Sequence, residues 1–242
     1  MHVRHLLLTV WAFLASQSAN AQQIIIADYI IFPPYQQADN GLTADFSALL
    51  TKKLTSVSFE YQRMTKSRLR VLIEQDVPLL IPFSQTYWFN PTTPFNVSQT
   101  TLREAVHVVS HKSRPITVED VKQKNLMFLG RDGYNYKVID DLVETERIKR
   151  YSCDSNDLCL TMLLAKRGDF LVMAKATYYQ YLEQIPNLKG KLTISKRPLY
   201  FDHRAMLGLN ITHADWVKIN QFANELSLSA EWQTIKSKHN ID

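Results

Sequence analysis

A short polar loop combines groups that could hold a negatively charged molecule. Residues 130–135 read Gly-Arg-Asp-Gly-Tyr-Asn and lie between a predicted strand and the start of a predicted helix. Backbone N–H groups at a helix start can bind an anion, and Arg131 adds a positive charge beside them. Gly133, Tyr134 and Asn135 complete this candidate site. An ordinary capped turn explains the glycines equally well.

The two cysteines, Cys153 and Cys159, could form a disulfide, supply a nucleophilic thiol or bind a metal. A nucleophile needs a positioned base, and a zinc site needs more ligands than this pair. His107 and His111 have a four-residue spacing, which converges on a metal only when both lie on a helix. They fall on a predicted strand and hinge, where residues four apart do not converge, so we expect no metal site.

No sequence pattern typical of a catalytic centre is present. The chain contains neither G-x-S-x-G nor H-E-x-x-H, and neither a dinucleotide-binding nor a P-loop glycine motif. Glu60, Glu74 and Glu104 read as ordinary strand or helix residues, so no carboxylate stands out as a general acid or base. We expect no catalytic residue and no cofactor.

Residues 1–21 have the three-part pattern of a secretory signal peptide. Arg4 precedes an apolar run over residues 6–15, and a polar stretch ends in Ala-Asn-Ala at residues 19–21. The alternative is a membrane anchor, but the run is about half the ~20 residues that span a bilayer. We expect a periplasmic chain that begins near Gln22. In that oxidising compartment a disulfide between the two cysteines is the default.

The composition indicates a globular α/β protein without a nucleic-acid partner. Of the 242 residues 45% are hydrophobic, which is enough for a sizeable core. The formal charge of +5 comes from 28 basic and 23 acidic residues. The basic residues are spread along the chain rather than clustered, which argues against nucleic-acid binding.

Apolar strands alternate with amphipathic helices along the chain, a rhythm typical of βαβ units and a mostly parallel sheet. Strands are predicted at 24–29, 57–61, 79–81, 105–109, 126–129 and 170–173. Helices are predicted at 46–54, 69–73, 138–143, 160–164, 178–185 and 216–235, and Thr117 with Asp120 has the form of a capping box. Ligands of open α/β sheets lie beyond the carboxyl ends of strands, which makes Lys175 a further candidate.

Several segments in order resemble the bacterial extracellular solute-binding proteins of family 3. The first strand is followed by Phe-Pro-Pro-Tyr at 32–35 and by Gly-Leu-Thr-Ala-Asp-Phe at 41–46. Arg68, Ser-Gln-Thr at 84–86, Pro-Phe-Asn-Val-Ser at 94–98 and Leu-Leu-Ala-Lys-Arg-Gly-Asp at 163–169 continue the resemblance. It covers nearly the whole chain after residue 21.

The resemblance implies a two-lobed periplasmic-binding-protein fold of type II in the α/β class. Each lobe would be a mixed, mostly parallel sheet flanked by helices, and two hinge strands would join the lobes. Lobe one would comprise residues 22–107 plus 201–242, and lobe two residues 108–200. Such lobes close on a ligand like a hinge.

The sequence departs from the family at its two ionic anchors for a free amino acid. The arginine that binds the ligand carboxylate would stand at Phe89, and the aspartate that meets the ammonium would stand at Ala174. The resemblance therefore implies a solute-binding fold and weakens the assignment of an amino acid as the ligand.

Aromatic and polar residues of the first half are expected to line the cleft. Flat apolar walls with polar edges suit a ring-bearing or quaternary ligand. Phe32 could equally be a core residue, and Arg68 could be a solvated helix charge. The expected binding residues in this half are Phe32, Tyr35, Arg68, Ser84, Thr86, Tyr87 and Trp88.

We expect a monomeric periplasmic protein that captures a small polar solute, amino-acid-like or a related organic ion, by lobe closure. The solute would pass to an inner-membrane permease of the ABC type. One alternative is a ligand-sensing module of the same fold that acts with a membrane receptor. A second is a lyase or dehydratase on this fold, which would need a carboxylate in the cleft.

Overall fold

The computed structural model describes residues 22–37, 41–123 and 125–241, with only the backbone of Lys137. The predicted signal peptide, residues 1–21, lies outside the described residues. No helix within these ranges is long and apolar enough to cross a membrane.

The described strands form one continuous sheet of nine members in the order β2-β1-β3-β9-β4-β7-β5-β6, and β8 pairs with β4. Their bounds are β1 Gln23–Asp28, β2 Ser58–Arg63, β3 Leu79–Ser84, β4 Asn96–His111, β5 Leu126–Arg131, β6 Ile148–Cys153, β7 Phe170–Ala174, β8 Leu192–Ile194 and β9 Tyr200–Leu209. Pairing is parallel within β2-β1-β3 and within β7-β5-β6. It is antiparallel wherever β4 or β9 takes part, so these two long strands connect the parallel halves.

Eight helices flank the sheet in the described ranges. They are α1 Leu42–Lys53, α2 Lys66–Glu74, α3 Val118–Gln123, α4 Lys137–Glu144, α5 Asn156–Leu164, α6 Lys175–Gln184, α7 His213–Leu226 and α8 Ala230–Lys238. The predicted capping box precedes α3: the Asp120 N–H donates to Thr117 Oγ1 at 3.1 Å, and the Thr117 N–H donates to Asp120 Oδ2 at 2.9 Å. The predicted helices are confirmed, except that the one expected over 216–235 is two helices, α7 and α8, which are separated by residues 227–229.

Burial follows from position in the sheet. All six residues of β3 are buried, because its neighbours and the helices cover both faces. Strand β2 lies at the edge and is mostly half-buried or exposed. The predicted strand at 105–109 is the middle of the longer β4, and β6, β8 and β9 were not predicted.

Buried apolar residues form separate cores at the two ends of the sheet. One cluster takes its members from residues 24–102 and 206–241, with Ala176 added. Two further clusters lie within residues 106–200. This arrangement is the two-lobed α/β architecture that the resemblance implied, whereas the residue at which the lobes divide stays a prediction.

The predicted disulfide is confirmed. Cys153 at the end of β6 is bonded to Cys159 in α5, with Cα atoms 5.5 Å apart. Both cysteines are buried, and the bond excludes the thiol-nucleophile and metal-ligand alternatives for this pair. The bond ties the edge strand of the second lobe to the helix that follows it.

Candidate functional site

A cavity lies where the loops after β1, β3, β5 and β7 meet beside the two connecting strands. It encloses about 820 Å³ of empty space, counting the part that opens to solvent. Its polar residues are Lys66, Asn135, Asn156, Thr177, Asp202 and Arg204. Its aromatic residues are Tyr29, Phe32, Tyr87, Trp88, Tyr134, Tyr136 and Tyr200.

The aromatic walls come from both halves of the protein. Phe32 follows β1, and its ring centroid lies 6.4 Å from that of Tyr134, which follows β5. Tyr87 and Trp88 lie in a short 3₁₀ turn after β3, with their ring centroids 6.0 Å apart. Rings on several sides of one cavity suit a flat, partly apolar ligand.

Arg204 supplies a buried positive charge from strand β9. Its Nε donates to Asp202 Oδ2 at 2.9 Å, and its Nη2 lies 3.0 Å from Glu104 Oε2. Glu104 and Asp202 are paired in register on β4 and β9, so the guanidinium lies between two carboxylates. Its Nη1 atom is buried and has no hydrogen-bond partner among the described residues.

The two carboxylates differ in their surroundings. Burial raises the pKa of the Glu104 carboxyl, although the Arg204 charge and a hydrogen bond from Tyr35 act in the opposite direction. Asp202 accepts hydrogen bonds at both oxygens, from Arg204 and from Gln85 Nε2 at 2.9 Å. Glu104 is therefore not the ordinary strand residue expected from sequence, because its side chain lies in the interior beside Arg204.

Two of the expected binding residues, Tyr35 and Ser84, are buried behind the residues that line the cavity. Tyr35 is fully buried, donates its hydroxyl hydrogen bond to Glu104, and has the Arg204 guanidinium 4.8 Å from its ring centroid. Ser84 is also fully buried and shares a 3.0 Å hydrogen bond with the Tyr29 hydroxyl. Both hold lining residues in place and do not themselves line the cavity.

The loop after β5 contacts the opposite half of the protein. Gly133 has a φ of +68°, which favours glycine, and its carbonyl accepts a 2.7 Å hydrogen bond from Lys66 Nζ. Asn135 Nδ2 donates to the Tyr87 carbonyl at 3.0 Å. Arg131 lies with its guanidinium carbon 4.5 Å from the centroid of the Tyr134 ring. The structure thus brings Tyr134 and Asn135 of this loop to the cavity, whereas Arg131 and Gly133 do not line it. The role of the loop in binding an anion stays a prediction.

Three other expected binding residues lie away from the cavity lining. Thr86 and Arg68 are exposed; Arg68 lies on α2 two residues after Lys66, hence about 200° around the helix from it. Lys175 is exposed at the first residue of α6 and lines a second cavity with Arg103 and Phe201. Helix geometry therefore turns Lys66, rather than Arg68, toward the site.

Phe89 and Ala174, which are predicted from the sequence to stand at the family's two ionic anchor positions, are uncharged. The Phe89 ring packs 5.1 Å from Phe95 and 6.0 Å from Tyr29. Ala174 lines the cavity immediately before α6. The charged side chains of the cavity on β9 are Arg204 and Asp202. Neither of them was predicted from the sequence. Their i, i+2 spacing was the available signal, because it puts both side chains on one face of a strand.

No protein-family model matches the sequence, and no curated protein matches it either. Solved structures do match. An ancestral arginine-binding protein bound to arginine superposes with a TM-score of 0.70 at 16% identity, over 90% of this chain and 97% of that one.

Two further structures have the same architecture. A probable amino-acid ABC transporter extracellular-binding protein from Bacillus subtilis gives a TM-score of 0.72 at 13% identity, over 90% of this chain and 97% of that one. The substrate binding protein of an amino acid ABC transporter gives 0.66 at 16% identity, over 89% and 98%. These similarities confirm the predicted fold, and their low identities say nothing of the ligand.

Proposed function

We propose that the chain is a periplasmic solute-binding protein that closes its two lobes around a small organic solute. It would release the solute to the permease of an ABC transporter and act as a monomer without catalytic activity. The observation that carries this proposal is the unpartnered guanidinium nitrogen of Arg204 beside a cavity whose walls come from both lobes. The binding proteins with the same fold support it.

Closure is supported by contacts that cross the cavity mouth. Lys66 bonds to Gly133, Asn135 bonds to Tyr87, and Gln37 Nε2 donates to Gln180 Oε1 at 3.0 Å. Each joins a residue before the β4 strand to one after it. A solute held between the lobes would be enclosed by these contacts, and their opening would release it.

The lyase alternative would need a carboxylate free to move a proton. Asp202 lines the cavity, but its two oxygens are bonded to Arg204 and Gln85. Glu104 Oε2 is bonded to Arg204 and Tyr35, and its Oε1 has no partner among the described residues, but Glu104 does not line the cavity. The hydrogen bonds at both oxygens of Asp202, and the position of Glu104 outside the lining, favour a binding role over proton transfer.

A thermal-shift screen of amino acids, amines and organic acids against the purified protein tests the proposal. We expect at least one class to raise Tm, and the same solute to reduce the radius of gyration measured by small-angle X-ray scattering. A lack of stabilisation by every class, with an unchanged radius, would contradict a solute-binding role.

Arg103→Gln is the matched control for Arg204→Gln in that screen. Arg103 is an exposed arginine on β4 whose guanidinium lies over the Phe201 ring at 3.8 Å. The Arg103 variant should keep the solute-dependent shift. The Arg204 variant, assayed by calorimetry at a temperature at which circular dichroism shows it to be folded, should fail to bind the same solute. Transport and sensing are then separated by whether the protein stimulates uptake by a membrane permease.

A further inference from the structure

We propose that the solute is a small ring-bearing organic anion without an ammonium group, and that Arg204 and Thr177 hold its acidic end. This inference rests on the proposed function and names the chemical class of its solute. Three features of the cavity carry it: two unpartnered polar atoms, the absence of a free carboxylate in the described lining, and the aromatic walls.

The unpartnered polar atoms favour an anionic group. Arg204 has 8% of its side chain exposed, and two of its three guanidinium nitrogens are bonded to Asp202 and Glu104. The third, Nη1, has no partner among the described residues. A buried donor left without an acceptor is unfavourable, and a ligand oxygen would satisfy it with a charge-assisted hydrogen bond.

Thr177 provides a second donor from the other lobe. Its side chain is buried, and Oγ1 has no hydrogen-bond partner among the described residues. It lies in the first turn of α6, where the helix dipole favours negative charge. Arg204 and Thr177 both line the cavity, so one acidic group between the lobes could accept from both.

An ammonium group would find no free carboxylate in the described lining. Asp202 is the carboxylate there, and hydrogen bonds from Arg204 and Gln85 occupy its oxygens. Ala174 lines the cavity immediately before α6, and its side chain is a methyl group that cannot pair with an ammonium. The positive charge of Lys66, which lines the same cavity, would repel a second cation.

The remaining walls fit a flat apolar body. Phe32 and Tyr134 face each other across the lobes at 6.4 Å between ring centroids. Tyr29, Trp88 and Tyr200 add ring surface to the same cavity. An aromatic ligand would gain both burial and ring contacts there.

Isothermal titration calorimetry with three probes of one skeleton tests the charge requirement. The probes are 3-phenylpropanoate, which has only the acid, L-phenylalanine, which adds the ammonium, and 2-phenylethylamine, which has only the amine. We expect 3-phenylpropanoate to bind at least about tenfold more tightly than L-phenylalanine. The ammonium group of L-phenylalanine would be buried without a carboxylate partner, which is unfavourable. The amine should give no heat of binding. Butanoate, an anion without a ring, should bind at least about tenfold more weakly than 3-phenylpropanoate.

Substitutions of residues proposed to lie beside the acidic group of the ligand make the test specific. Thr177→Val removes the hydroxyl at constant size and should weaken 3-phenylpropanoate binding about tenfold without lowering the Tm of the free protein. Thr177→Ser keeps a hydroxyl and should retain most of the affinity. Ala174→Asp adds a carboxylate to the cavity and should shift the preference toward L-phenylalanine.

The outcomes separate this inference from the proposed function. Equal or tighter binding of L-phenylalanine or the amine to the unmodified protein would overturn the ring-bearing anion and leave a solute-binding role intact. Failure of all three aromatic probes, with binding of a solute in the screen that is not a ring-bearing anion, would do the same. If no solute of any class binds, the proposed function itself fails.

Discussion

At the scale of single residues, Arg204 is the group on which the site depends. It is buried, it contacts Glu104 and Asp202, and it lies over the rings of Tyr35 and Trp88 at 4.8 and 5.1 Å. Arginine suits this position because its planar fork can bond to several carboxylate oxygens and stack on aromatic rings at once. Arg204 therefore offsets part of the negative charge of two buried carboxylates.

Replacing Arg204 should destabilise the protein strongly. Arg204→Gln leaves Glu104 and Asp202 buried side by side without their counter-ion, and we expect a loss of about 3–5 kcal/mol in the free energy of unfolding. Urea denaturation followed by circular dichroism measures it. Arg103→Gln, on the exposed side of β4, should change that free energy by less than about 0.5 kcal/mol. Equal effects of the two substitutions would contradict the central role of Arg204.

Part of this site was predicted from the types and sequence positions of individual residues. Phe32, Tyr87, Trp88, Tyr134 and Asn135 were expected at the cavity and do line it. Their positions after predicted strands were sufficient, because loops at the carboxyl ends of parallel strands converge. Whether each of them binds the solute stays a prediction.

At the scale of elements, strand β9 decides the chemistry of the cavity. Tyr200–Leu209 carries Asp202 and Arg204, and it was not predicted because charged residues interrupt the apolar run that identifies a buried strand. Their burial is tolerated because Arg204 bonds to Asp202 on the same strand and to Glu104 on the neighbouring β4. A pairing partner 98 or more positions away in sequence is not visible to local periodicity.

The disulfide should support both stability and solute binding. Closing the short loop between Cys153 and Cys159 restricts the unfolded chain, so Cys153→Ser with Cys159→Ser should lower the free energy of unfolding by about 2 kcal/mol. Asn156 lies inside this loop and lines the cavity, so solute affinity should fall as well. Urea denaturation and calorimetry measure the two effects. A variant with normal stability and affinity would show that the bond has neither role.

A second link joins the first helix to the last. Asp45 on α1 accepts hydrogen bonds from Lys238 Nζ and His239 Nε2, each at 2.7 Å. Partial burial opposes ionisation of Asp45, but these hydrogen bonds outweigh it and lower the pKa of the carboxyl. The link therefore stabilises the fold while Asp45 is ionised.

The Asp45 link should have a defined pH dependence. A folded-state pKa below the unfolded value gives stability that is present above about pH 4 and is lost as the pH falls through the folded-state pKa. Asp45→Asn should cost about 1 kcal/mol at pH 7 and almost nothing at pH 2. Urea midpoints of both proteins across this range provide the measurement. A gap that stays constant with pH would contradict the assignment.

At the scale of the whole molecule, three hydrogen bonds join residues before β4 to residues after it, beside the cavity. Lys66 is central to them, because its ammonium bonds to Gly133 and lies 5.0 Å from the centroid of the Tyr134 ring. Burial lowers the pKa of Lys66, and the nearby charges of Arg70 and Arg131 act in the same direction. In the hinge closure proposed above, these contacts would form only when the two lobes approach each other.

Removing the Lys66 contact should favour the open protein. Lys66→Met keeps most of the side-chain length and loses the hydrogen bond, so solute affinity should fall roughly three- to tenfold. Dissociation should account for most of the change, since closure slows release. Calorimetry and stopped-flow fluorescence measure the two quantities.

Arg68→Met is the matched comparison on the same helix. Arg68 is exposed on α2, so its replacement should leave affinity within a factor of about two. A loss of affinity in Arg68→Met with none in Lys66→Met would support the sequence-based assignment of Arg68 and contradict the one drawn from the structure.

The sequence alone was sufficient for the α/β class, the helices, the capping box, the disulfide and the two-lobed fold. These features depend on local periodicity, on short spacings or on ordered segments, all of which are present in the linear chain. That Phe89 and Ala174 stand where the family has its charged anchors stays a prediction.

Only the tertiary structure decided where the charges of the site come from. Glu104, Thr177 and Arg204 lie far apart in sequence and belong to β4, α6 and β9. They come together because the two connecting strands run side by side between the lobes, which puts the ends of both lobes against one cavity. Which buried polar atoms are satisfied, and which remain for a ligand, depends on that three-dimensional packing.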